Sequence, residues 1–308
     1  VKELALVGLN NSHPFLFGGL VNGGRREKFV ANSPGWTHSL FPERDWEGAY
    51  IDHWRFTRAW ARDPRFAGAV AEAVLVDKVC DTLEEAAEST QGAFVCDMWG
   101  EYHKEQAMAF LQKGKPVFVD KPLAESVADA EAMIRAAKDN GTVLSTCSSL
   151  RFDPRLRKLK SRIGKELGKP SIVTVCCPCY QDIARYSVHG IEILMEVTGG
   201  ARVGRLRNIG TGTRRHLILV EFIDGCCGVI HSWENHAYSV TFTGERGQDV
   251  AVLGAMESFK PMVEAVLDSF VTNLPVVDYD EALEVVKVIE AGTRSRAADG
   301  APVDLAGG

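Results

Sequence analysis

Residues 114–124 read Gly-Lys-Pro-Val-Phe-Val-Asp-Lys-Pro-Leu-Ala, and this stretch decides the fold. Residues 116–119 form a short apolar run, which is typical of a buried parallel strand. Asp120, Lys121 and Pro122 follow at its carboxyl end, where doubly wound sheets bind their ligands. The stretch therefore predicts a strand whose end presents an ammonium group to a binding crevice. A cis bond is also compatible with Lys121-Pro122.

Strands and helices alternate around this stretch through the first half of the chain. This pattern predicts right-handed βαβ units and an α/β fold with a Rossmann-like, doubly wound parallel sheet. Residues 23–66 interrupt it, because four tryptophans lie among many charges there. We predict an irregular insertion with one helix over 52–62. The predicted strands are 4–8, 93–96, 116–119 and 142–145, and the predicted helices are 82–89, 102–113 and 127–138.

The second half changes character and predicts an α+β domain with an open, mostly antiparallel sheet. Asp224-Gly225 between two apolar runs is a hairpin signal. We expect residues 1–122 to form the first domain and 123–308 the second, with 123–148 bridging and the C-terminal helix packing back. The predicted strands are 172–176, 217–222, 227–231 and 238–242, and the predicted helices are 189–197, 261–271 and 281–296.

Composition excludes several classes of protein. The 308 residues are 45% hydrophobic and 25% charged, with a net charge of -6, so no broad basic surface for nucleic acid is expected. No stretch approaches the roughly 20 apolar residues of a membrane span. The first residues already follow a strand pattern, so we expect no signal peptide, and the eight cysteines lie mostly in apolar runs. We predict reduced thiols and a cytoplasmic protein.

No metal site is predicted. Cys176, Cys177 and Cys179 are close in sequence, but adjacent residues on a strand point to opposite faces, which suits a tetrahedral site poorly.

Several motifs together resemble one family. Residues 114–124 resemble the "GKHVFCEKPLA" signature of the glucose–fructose oxidoreductase / inositol dehydrogenase (Gfo/Idh/MocA) family. Residues 150–152 resemble the segment that opens its second domain, residues 188–192 its histidine motif, and residues 279–305 its closing helix and strand. The resemblance implies a Rossmann domain that binds NAD or NADP, and a sheet domain that supports homodimers or homotetramers. It implies a small-molecule substrate such as a sugar, polyol or related hydroxy compound.

The resemblance also implies roles for individual residues. Lys121 would polarise the substrate oxygen and His189 would transfer the proton, which suits an ammonium charge and an imidazole near neutral pH. The residues alone also allow a solvated surface lysine and a core or helix-capping histidine. Arg151 is a candidate substrate ligand. Further candidates for the cofactor pocket are Asp97, Trp99, Asp120 and Pro122.

The cofactor loop departs from the dinucleotide fingerprint. Of the three glycine positions, Gly8 is kept, whereas Asn10 and His13 occupy the second and third. With Asn11 and Ser12, these residues form either a polar binding site or an Asx-type turn that caps the first helix. No acidic residue is found at the end of a second strand to hold the ribose hydroxyls.

Two further departures concern the substrate. Arg185 lies four residues before His189, where the family often has an aspartate, and arginine cannot accept a proton. Tyr186 is the substitute candidate for acid–base work, and Arg185 either binds a substrate carboxylate or phosphate or is simply exposed. Residues 36–60 form either a lid or an insertion that packs on the domain surface or on another subunit.

Three functions follow. The first is an NAD(P)-dependent oxidoreductase in which Lys121 and His189 act on a hydroxy compound. The second keeps this fold for a non-redox acid–base reaction, as an isomerase, lyase or hydrolase without ordinary dinucleotide binding. The third is a catalytically silent ligand sensor or partner subunit.

Overall fold

The computed structural model describes residues 1–47, 51–254 and 256–305. They form two compact units: unit 1 holds Val1–Asp120, Glu131–Thr146 and Phe259–Val276, and unit 2 holds Lys121–Ala130, Cys147–Ser258 and Val277–Gly308. This division differs from the predicted boundary at residue 122. The later segments return to unit 1 because Leu144–Ser145 adds a strand to its sheet, and the Ser145 hydroxyl lies 2.8 Å from that of Ser269.

Unit 1 contains a six-stranded parallel sheet, which confirms the predicted Rossmann-like fold. Its strand order is β5-β4-β1-β6-β7-β8, so the order reverses between β1 and β6, the switch point where such sheets bind ligands. The strands of unit 1 are β1 Lys2–Val7, β2 Gly23–Gly24, β3 Trp46–Glu47, β4 Trp54–Trp60, β5 Lys78–Val79, β6 Ala93–Val95, β7 Val117–Val119 and β8 Leu144–Ser145.

The helices of unit 1 lie between these strands along the chain. They are α1 His13–Asn22, α2 Arg26–Asn32, α3 Pro64–Ala73, α4 Leu83–Ser89 and α5 His103–Leu111, with α6 Val127–Asp139 crossing from unit 2. Helix α4 is capped by Thr82, whose hydroxyl accepts from the Glu85 backbone at 3.1 Å.

The predicted helix over 52–62 is wrong. Residues 54–60 form β4, which pairs in parallel with β1 and places Phe56 and Ala59 fully in the core. Pairing with the central strand β1 decides the structure of this segment. Its tryptophan, phenylalanine and threonine residues also fit the pleated, half-buried surface of a sheet. The predicted irregular insertion is therefore shorter than 23–66: β4 belongs to the sheet, and α3 begins at Pro64.

The segment before β4 packs on unit 1 through aromatic rings. The ring of Trp46 stacks on that of Phe41 at 5.1 Å, and Phe29 meets Phe41 edge-on at 4.7 Å. The indole nitrogen of Trp46 donates to the backbone oxygen of Gly19 in α1 at 3.4 Å. Of the two predicted alternatives for 36–60, these contacts favour surface packing over a lid; residues 48–50 lie outside the described residues.

Unit 2 contains a seven-stranded sheet in the order β14-β13-β9-β12-β11-β10-β15, antiparallel except where β9 pairs with β12. This confirms the predicted mostly antiparallel α+β domain. The predicted hairpin joins β11 to β12, and Gly225 there has φ +91°. The strands are β9 Pro170–Cys177, β10 Val203–Asn208, β11 Arg215–Phe222, β12 Cys227–Trp233, β13 Ser239–Gly244, β14 Gln248–Val252 and β15 Val303–Asp304.

One face of this sheet is covered by α8, whose Ile191, Ile193 and Leu194 join the core formed by the inward side chains of the strands. The remaining helices are α7 Pro154–Arg162, α8 Val188–Thr198, α9 Phe259–Thr272, which belongs to unit 1, and α10 Tyr279–Ala297. A π-helix, Ile183–Ser187, leads directly into α8.

All eight cysteines carry free thiols. Among the described residues, no group of histidine, cysteine and acidic side chains is arranged to hold a metal ion. Within the same residues, no helix combines the length and the apolar character that crossing a membrane requires.

Candidate active site

Lys121 is the first residue of unit 2, and its side chain contacts the π-helix. Its Nζ donates to the backbone oxygen of Arg185 at 3.2 Å and lies 6.0 Å from the centre of the Tyr186 ring. The Lys121–Pro122 peptide bond is cis, and Pro122 is buried. The Lys121 side chain therefore contacts the π-helix one helical turn before His189. The sequence had assigned the two to different domains, whereas both belong to unit 2.

His189 lies in the first turn of α8 and is 8% exposed. Its Nδ1 lies 2.8 Å from the hydroxyl of Ser148, a fully buried residue that caps the short 3-10 helix Ser149–Phe152. The edge of its ring meets Tyr238 at 5.6 Å. Two partners from different segments therefore fix the plane of the imidazole, which is what a proton-transfer group requires.

Arg185 and Tyr186 occupy the π-helix, a form that is frequent at functional sites. Asp182 caps this helix, accepting from the Arg185 backbone at 2.9 Å and pairing with its guanidinium, which also lies 3.9 Å from Glu125. The Arg185 side chain is thus partly buried and engaged with acidic side chains. Its backbone carbonyl accepts the hydrogen bond from Lys121. Burial raises the pKa of Tyr186, so its hydroxyl stays protonated. Separately, its ring faces the ammonium group of Lys121.

Arg151, the predicted substrate ligand, is buried in an ion network instead. Its guanidinium pairs with Glu192, and lies 2.6 Å from Glu196 and 2.5 Å from Glu281. With its side chain 5% exposed, it is surrounded by carboxylates from α8 and α10. We assign Arg151 to holding α8, and with it His189, against α10, because its Nε and Nη1 atoms pair with carboxylates of both helices.

In unit 1, Gly8 ends β1 in a conformation that only glycine adopts freely, with φ +71°. A Cβ at this position would lie 2.7 Å from the Asp97 backbone nitrogen. The Gly8 backbone nitrogen also donates to the oxygen of Trp60 at the end of β4 at 2.9 Å. The first fingerprint position therefore keeps its physical role, a tight turn at the switch point of the sheet.

Asn10, at the second position, is tied to the loop after β6. Its amide donates to Asp97 Oδ1 at 2.8 Å, and its oxygen accepts from the Met98 backbone at 2.7 Å. Asn11 likewise donates to the Cys96 oxygen and accepts from the His13 backbone at 2.8 Å. The prediction of an Asx-type turn at the start of α1 is confirmed for Asn11.

The Asp97 carboxylate is buried and accepts hydrogen bonds from residues around this loop, so it is not exposed to a ligand pocket. It is 3% exposed, its Oδ2 accepts from Gln106 at 2.9 Å, and its Oδ1 also accepts from the backbone of Trp99 at 3.0 Å. Trp99 is 39% exposed, so of these two residues only its ring is open to a ligand. Ser12 precedes α1 without a side-chain capping bond.

His13, at the third position, pairs with Asp120. Its Nδ1 lies 2.6 Å from Asp120 Oδ2, and its ring packs between those of Phe17 and Phe259. The side chains are 14% and 5% exposed. The helix packing that a third glycine permits is thus replaced by an imidazole–carboxylate pair linking α1 to the end of β7.

These residues fit a dinucleotide. Gly8 allows the tight turn at the end of β1, where a Cβ would clash with Asp97, both polar atoms of Asn10 are engaged with residues 97 and 98, and α1 begins directly at the switch point. The amino terminus of such a helix attracts a diphosphate. Gly8, Asn10, Asn11, His13, Asp97 and Asp120 therefore form one connected set in unit 1, and Lys121, Arg185, Tyr186 and His189 another in unit 2.

Ser148 is the residue that sequence reasoning missed. A serine two residues ahead of an apolar position suggests only a helix cap, and it does accept from the Leu150 backbone at 3.3 Å. Its second contact, with His189, joins positions 41 residues apart and carries no local sequence signal.

Comparison with known proteins supports this description. The model of the Gfo/Idh/MocA family, described as an oxidoreductase family with an NAD-binding Rossmann fold, matches residues 44–147. Scyllo-inositol 2-dehydrogenase (NADP(+)) of Bacillus subtilis is 31% identical over 139 residues, which cover 45% of this chain and 42% of that protein. Inositol 2-dehydrogenase of Acidiphilium cryptum is 34% identical over 91 residues, or 29% of this chain and 27% of that protein.

Solved structures agree over almost the whole length. Scyllo-inositol dehydrogenase from Lactobacillus casei, with bound NAD(H) and scyllo-inositol, superposes with a TM-score of 0.78 at 14% identity, covering 99% of both chains. A probable dehydrogenase from Thermotoga maritima gives a TM-score of 0.77 at 16% identity, covering 98% of both. At these identities the likeness shows the fold. In sequence, the chain is similar to the Gfo/Idh/MocA family over residues 44–147 and spans less than half the length of the relatives it matches.

Proposed function

We propose that the chain is an NAD(P)-dependent dehydrogenase that oxidises a hydroxyl of a polyol such as an inositol. The observation that carries this is the placement of the Lys121 ammonium group on the carbonyl of Arg185, one turn before His189. An ammonium group that contacts the turn before an imidazole supplies the two groups that removal of a proton from an alcohol requires. The dehydrogenase relatives, matched over less than half their length, support the same reaction.

Lys121 would stabilise the negative charge that develops on the substrate oxygen, because a fixed cation acts most strongly where water is partly excluded. His189 would take the hydroxyl proton through Nε2, the ring nitrogen that Ser148 does not contact. The dinucleotide, when bound, supplies the nicotinamide carbon that accepts the hydride. Gly8 and the start of α1 would hold its diphosphate.

Ser148 suits this role in both directions of the reaction. A hydroxyl can donate a hydrogen bond to Nδ1 or accept one from it, whereas a carboxylate can only accept. Ser148 can therefore keep its hydrogen bond to Nδ1 with either neutral tautomer of His189 and with the imidazolium ion formed when Nε2 takes a proton.

The test is a comparison of Lys121→Ala with Lys113→Ala, an exposed lysine of unit 1 paired with Glu84. Turnover is followed by nicotinamide absorbance with myo- and scyllo-inositol and each cofactor. Loss of the charge opposite the developing alkoxide should lower kcat by a factor on the order of 100 or more, and the control should match the wild type. Unchanged turnover in Lys121→Ala would remove the lysine from the reaction.

A non-redox acid–base reaction is the alternative, and the loss of two loop glycines, at Asn10 and His13, favours it. It would use Lys121 and His189 without a dinucleotide. Titration with NADH and NADPH, followed by nicotinamide fluorescence, separates the two. Absence of binding at millimolar cofactor would support the alternative.

Self-association through unit 2 is a further part of the proposal. The face of its sheet opposite α8 carries valine and threonine side chains in register, since Val250 lies beside Thr241, Thr241 beside Thr174 and Thr174 beside Val229. Val250 and Val252 are 58% and 59% exposed. A second copy would bury this surface, and Val250→Asp should shift the mass measured by light scattering towards the monomer.

A reducing compartment such as the cytoplasm is also proposed. Eight free thiols, including the exposed Cys227, are stable where disulfides do not form. Unchanged electrophoretic mobility after extraction without a reductant, with free thiols blocked, would support it, and disulfide-linked species would contradict it.

A further inference from the structure

The tyrosines of unit 2 form the strongest unassigned feature beside the proposed site. Three of the six tyrosines in the chain lie at or next to this site: Tyr180, Tyr186 and Tyr238. We infer that Tyr180 stacks on the second ring of a glycoside whose first ring is oxidised at Lys121. This inference rests on the proposed function and narrows its substrate from a free polyol to a polyol joined to another sugar or to an aryl ring.

Tyr180 continues an aromatic surface that begins at the Lys121 ammonium group. The centre of the Tyr186 ring lies 6.0 Å from Lys121 Nζ, and the centre of the Tyr180 ring lies 5.2 Å from that of Tyr186. Tyr180 is thus linked to the ammonium group through one intervening ring. Aromatic rings in contact are about 4.5–7 Å apart, so a second substrate ring joined to the one at Lys121 reaches Tyr180.

The ring of Tyr180 is available to a ligand. Its plane is inclined by 82° to that of Tyr186, so the two rings meet edge to face, and this contact leaves at least one face of Tyr180 uncovered. Tyr180 is 45% exposed, whereas Tyr186 is partly buried. The face of an aromatic ring is electron-rich, so it attracts the C–H groups of a sugar ring or the edge of an aryl ring.

The loop that carries Tyr180 is held on both sides. Before it, the Cys179 backbone nitrogen donates to the oxygen of Trp233, the last residue of β12, at 3.2 Å. After it, the Asp182 carboxylate accepts from the Arg185 backbone at 2.9 Å and caps the π-helix. These bonds restrain the loop before a ligand arrives, which lowers the entropy cost of binding.

The neighbouring tyrosines keep this surface aromatic and uncharged. The Tyr238 ring meets that of His189 edge-on at 5.6 Å, so a further aromatic ring borders the imidazole. Burial raises the pKa of both Tyr186 and Tyr238, and their hydroxyls therefore stay protonated at neutral pH. Aromatic rings with neutral hydroxyls suit a sugar or an aryl ring, which offers C–H groups to the faces and hydroxyls to the edges.

Hydride transfer by the full chain, followed by nicotinamide absorbance, tests the inference on two matched pairs of compounds. Galactinol is compared with myo-inositol, and phenyl β-D-glucoside with methyl β-D-glucoside, so that the members of each pair differ by one ring. In a pair that is oxidised, the wild type should give the higher kcat/KM with the two-ring compound.

Tyr180→Ala should lower kcat/KM for the two-ring compounds by about 3–10-fold, the range that corresponds to one aromatic contact. The single-ring compounds should stay within about twofold of the wild type, because they do not reach this residue. Tyr180→Phe keeps the ring and should restore the wild-type preference.

Ile223→Ala is the matched control, because Ile223 is 58% exposed in the turn that precedes β12, at the end of this strand opposite Trp233. It should leave every kcat/KM unchanged. Equal kcat/KM for both members of a pair in the wild type, or an equal loss for both in Tyr180→Ala, would overturn the inference and leave the proposed function standing. If none of the four compounds were oxidised with either cofactor, the proposed function itself would fail.

Discussion

The hydroxyl of Ser148 lies 2.8 Å from Nδ1 of His189, and both residues are buried. This contact occupies the role left open by Arg185, which stands where an aspartate often accompanies the histidine. It connects the segment that opens the second half of the chain to the first turn of α8. Orientation of the imidazole therefore depends on a neutral, two-way hydrogen bond.

Ser148→Ala should lower kcat by about tenfold, because a misoriented proton acceptor loses part of the 10²–10⁴-fold that acid–base catalysis contributes. The KM for the polyol should change little, because Ser148 is assigned to orienting His189 and not to binding the substrate. Steady-state kinetics measure both constants. Ser149→Ala, a buried neighbour, is the control; equal effects from the two variants would reduce Ser148 to packing.

Arg151→Met should lower the free energy of unfolding by about 3–5 kcal/mol, the usual cost of removing one partner from a buried ion network. Three carboxylates, Glu192, Glu196 and Glu281, would lose their shared cation. Urea unfolding measures the change. A variant as stable as the wild type would contradict the structural role assigned to Arg151.

Glu192→Gln should lower the free energy of unfolding far less than Arg151→Met does. It should also alter how the free energy of unfolding depends on pH. Burial raises the pKa of Glu192 above its usual 4.5, so this carboxyl stabilises the fold fully below that value and less as pH rises through its folded pKa. The glutamine variant lacks this loss, so its stability relative to wild type should increase as pH rises above 4.5.

Glu196 provides the internal contrast. Burial acts to raise its pKa, but Arg151 and Lys160 lower it overall, so its contribution is lost only as pH falls below 4.5. Urea unfolding across both ranges separates the two carboxyls. If the difference in unfolding free energy between Glu192→Gln and wild type did not change with pH, the raised pKa assigned to Glu192 would be contradicted.

Gly8→Ala and Gly68→Ala should change stability in opposite directions. At Gly8 a Cβ would meet the Asp97 backbone and φ is +71°, so alanine should cost about 1–3 kcal/mol and weaken dinucleotide binding. Gly68 lies within α3, where an added Cβ would meet no atom within 4 Å, so alanine there should add about 0.5–1 kcal/mol. Thermal unfolding and cofactor titration measure both effects; similar shifts would contradict the strained turn.

Trp46→Ala should lower stability by about 1–3 kcal/mol, because its half-buried ring stacks on Phe41 and bonds to α1. Urea unfolding is the measurement. The lid hypothesis for 36–60 makes a different prediction, unchanged stability with a raised KM for the polyol. Trp36→Ala, at an exposed ring, serves as the control.

The sequence by itself determined the elements that local physics specifies. The apolar run before Asp120-Lys121-Pro122, the helices ending at glycine and the Asp224-Gly225 hairpin each carry their own periodicity or turn chemistry, and the two folds follow from their order. Gly8 was identified as a turn for the same reason. Lys121 and His189 were found through motifs whose residues are adjacent in the chain.

Only the tertiary structure decided what depends on distant partners. β4 was identified as a strand only through its pairing with β1, a partner about 50 residues away in the chain. The burial of Arg151 among three glutamates and the contact of Ser148 with His189 join residues from 41 to 130 positions apart. Such pairings leave no periodic trace, because their energy comes from burial that the whole fold creates.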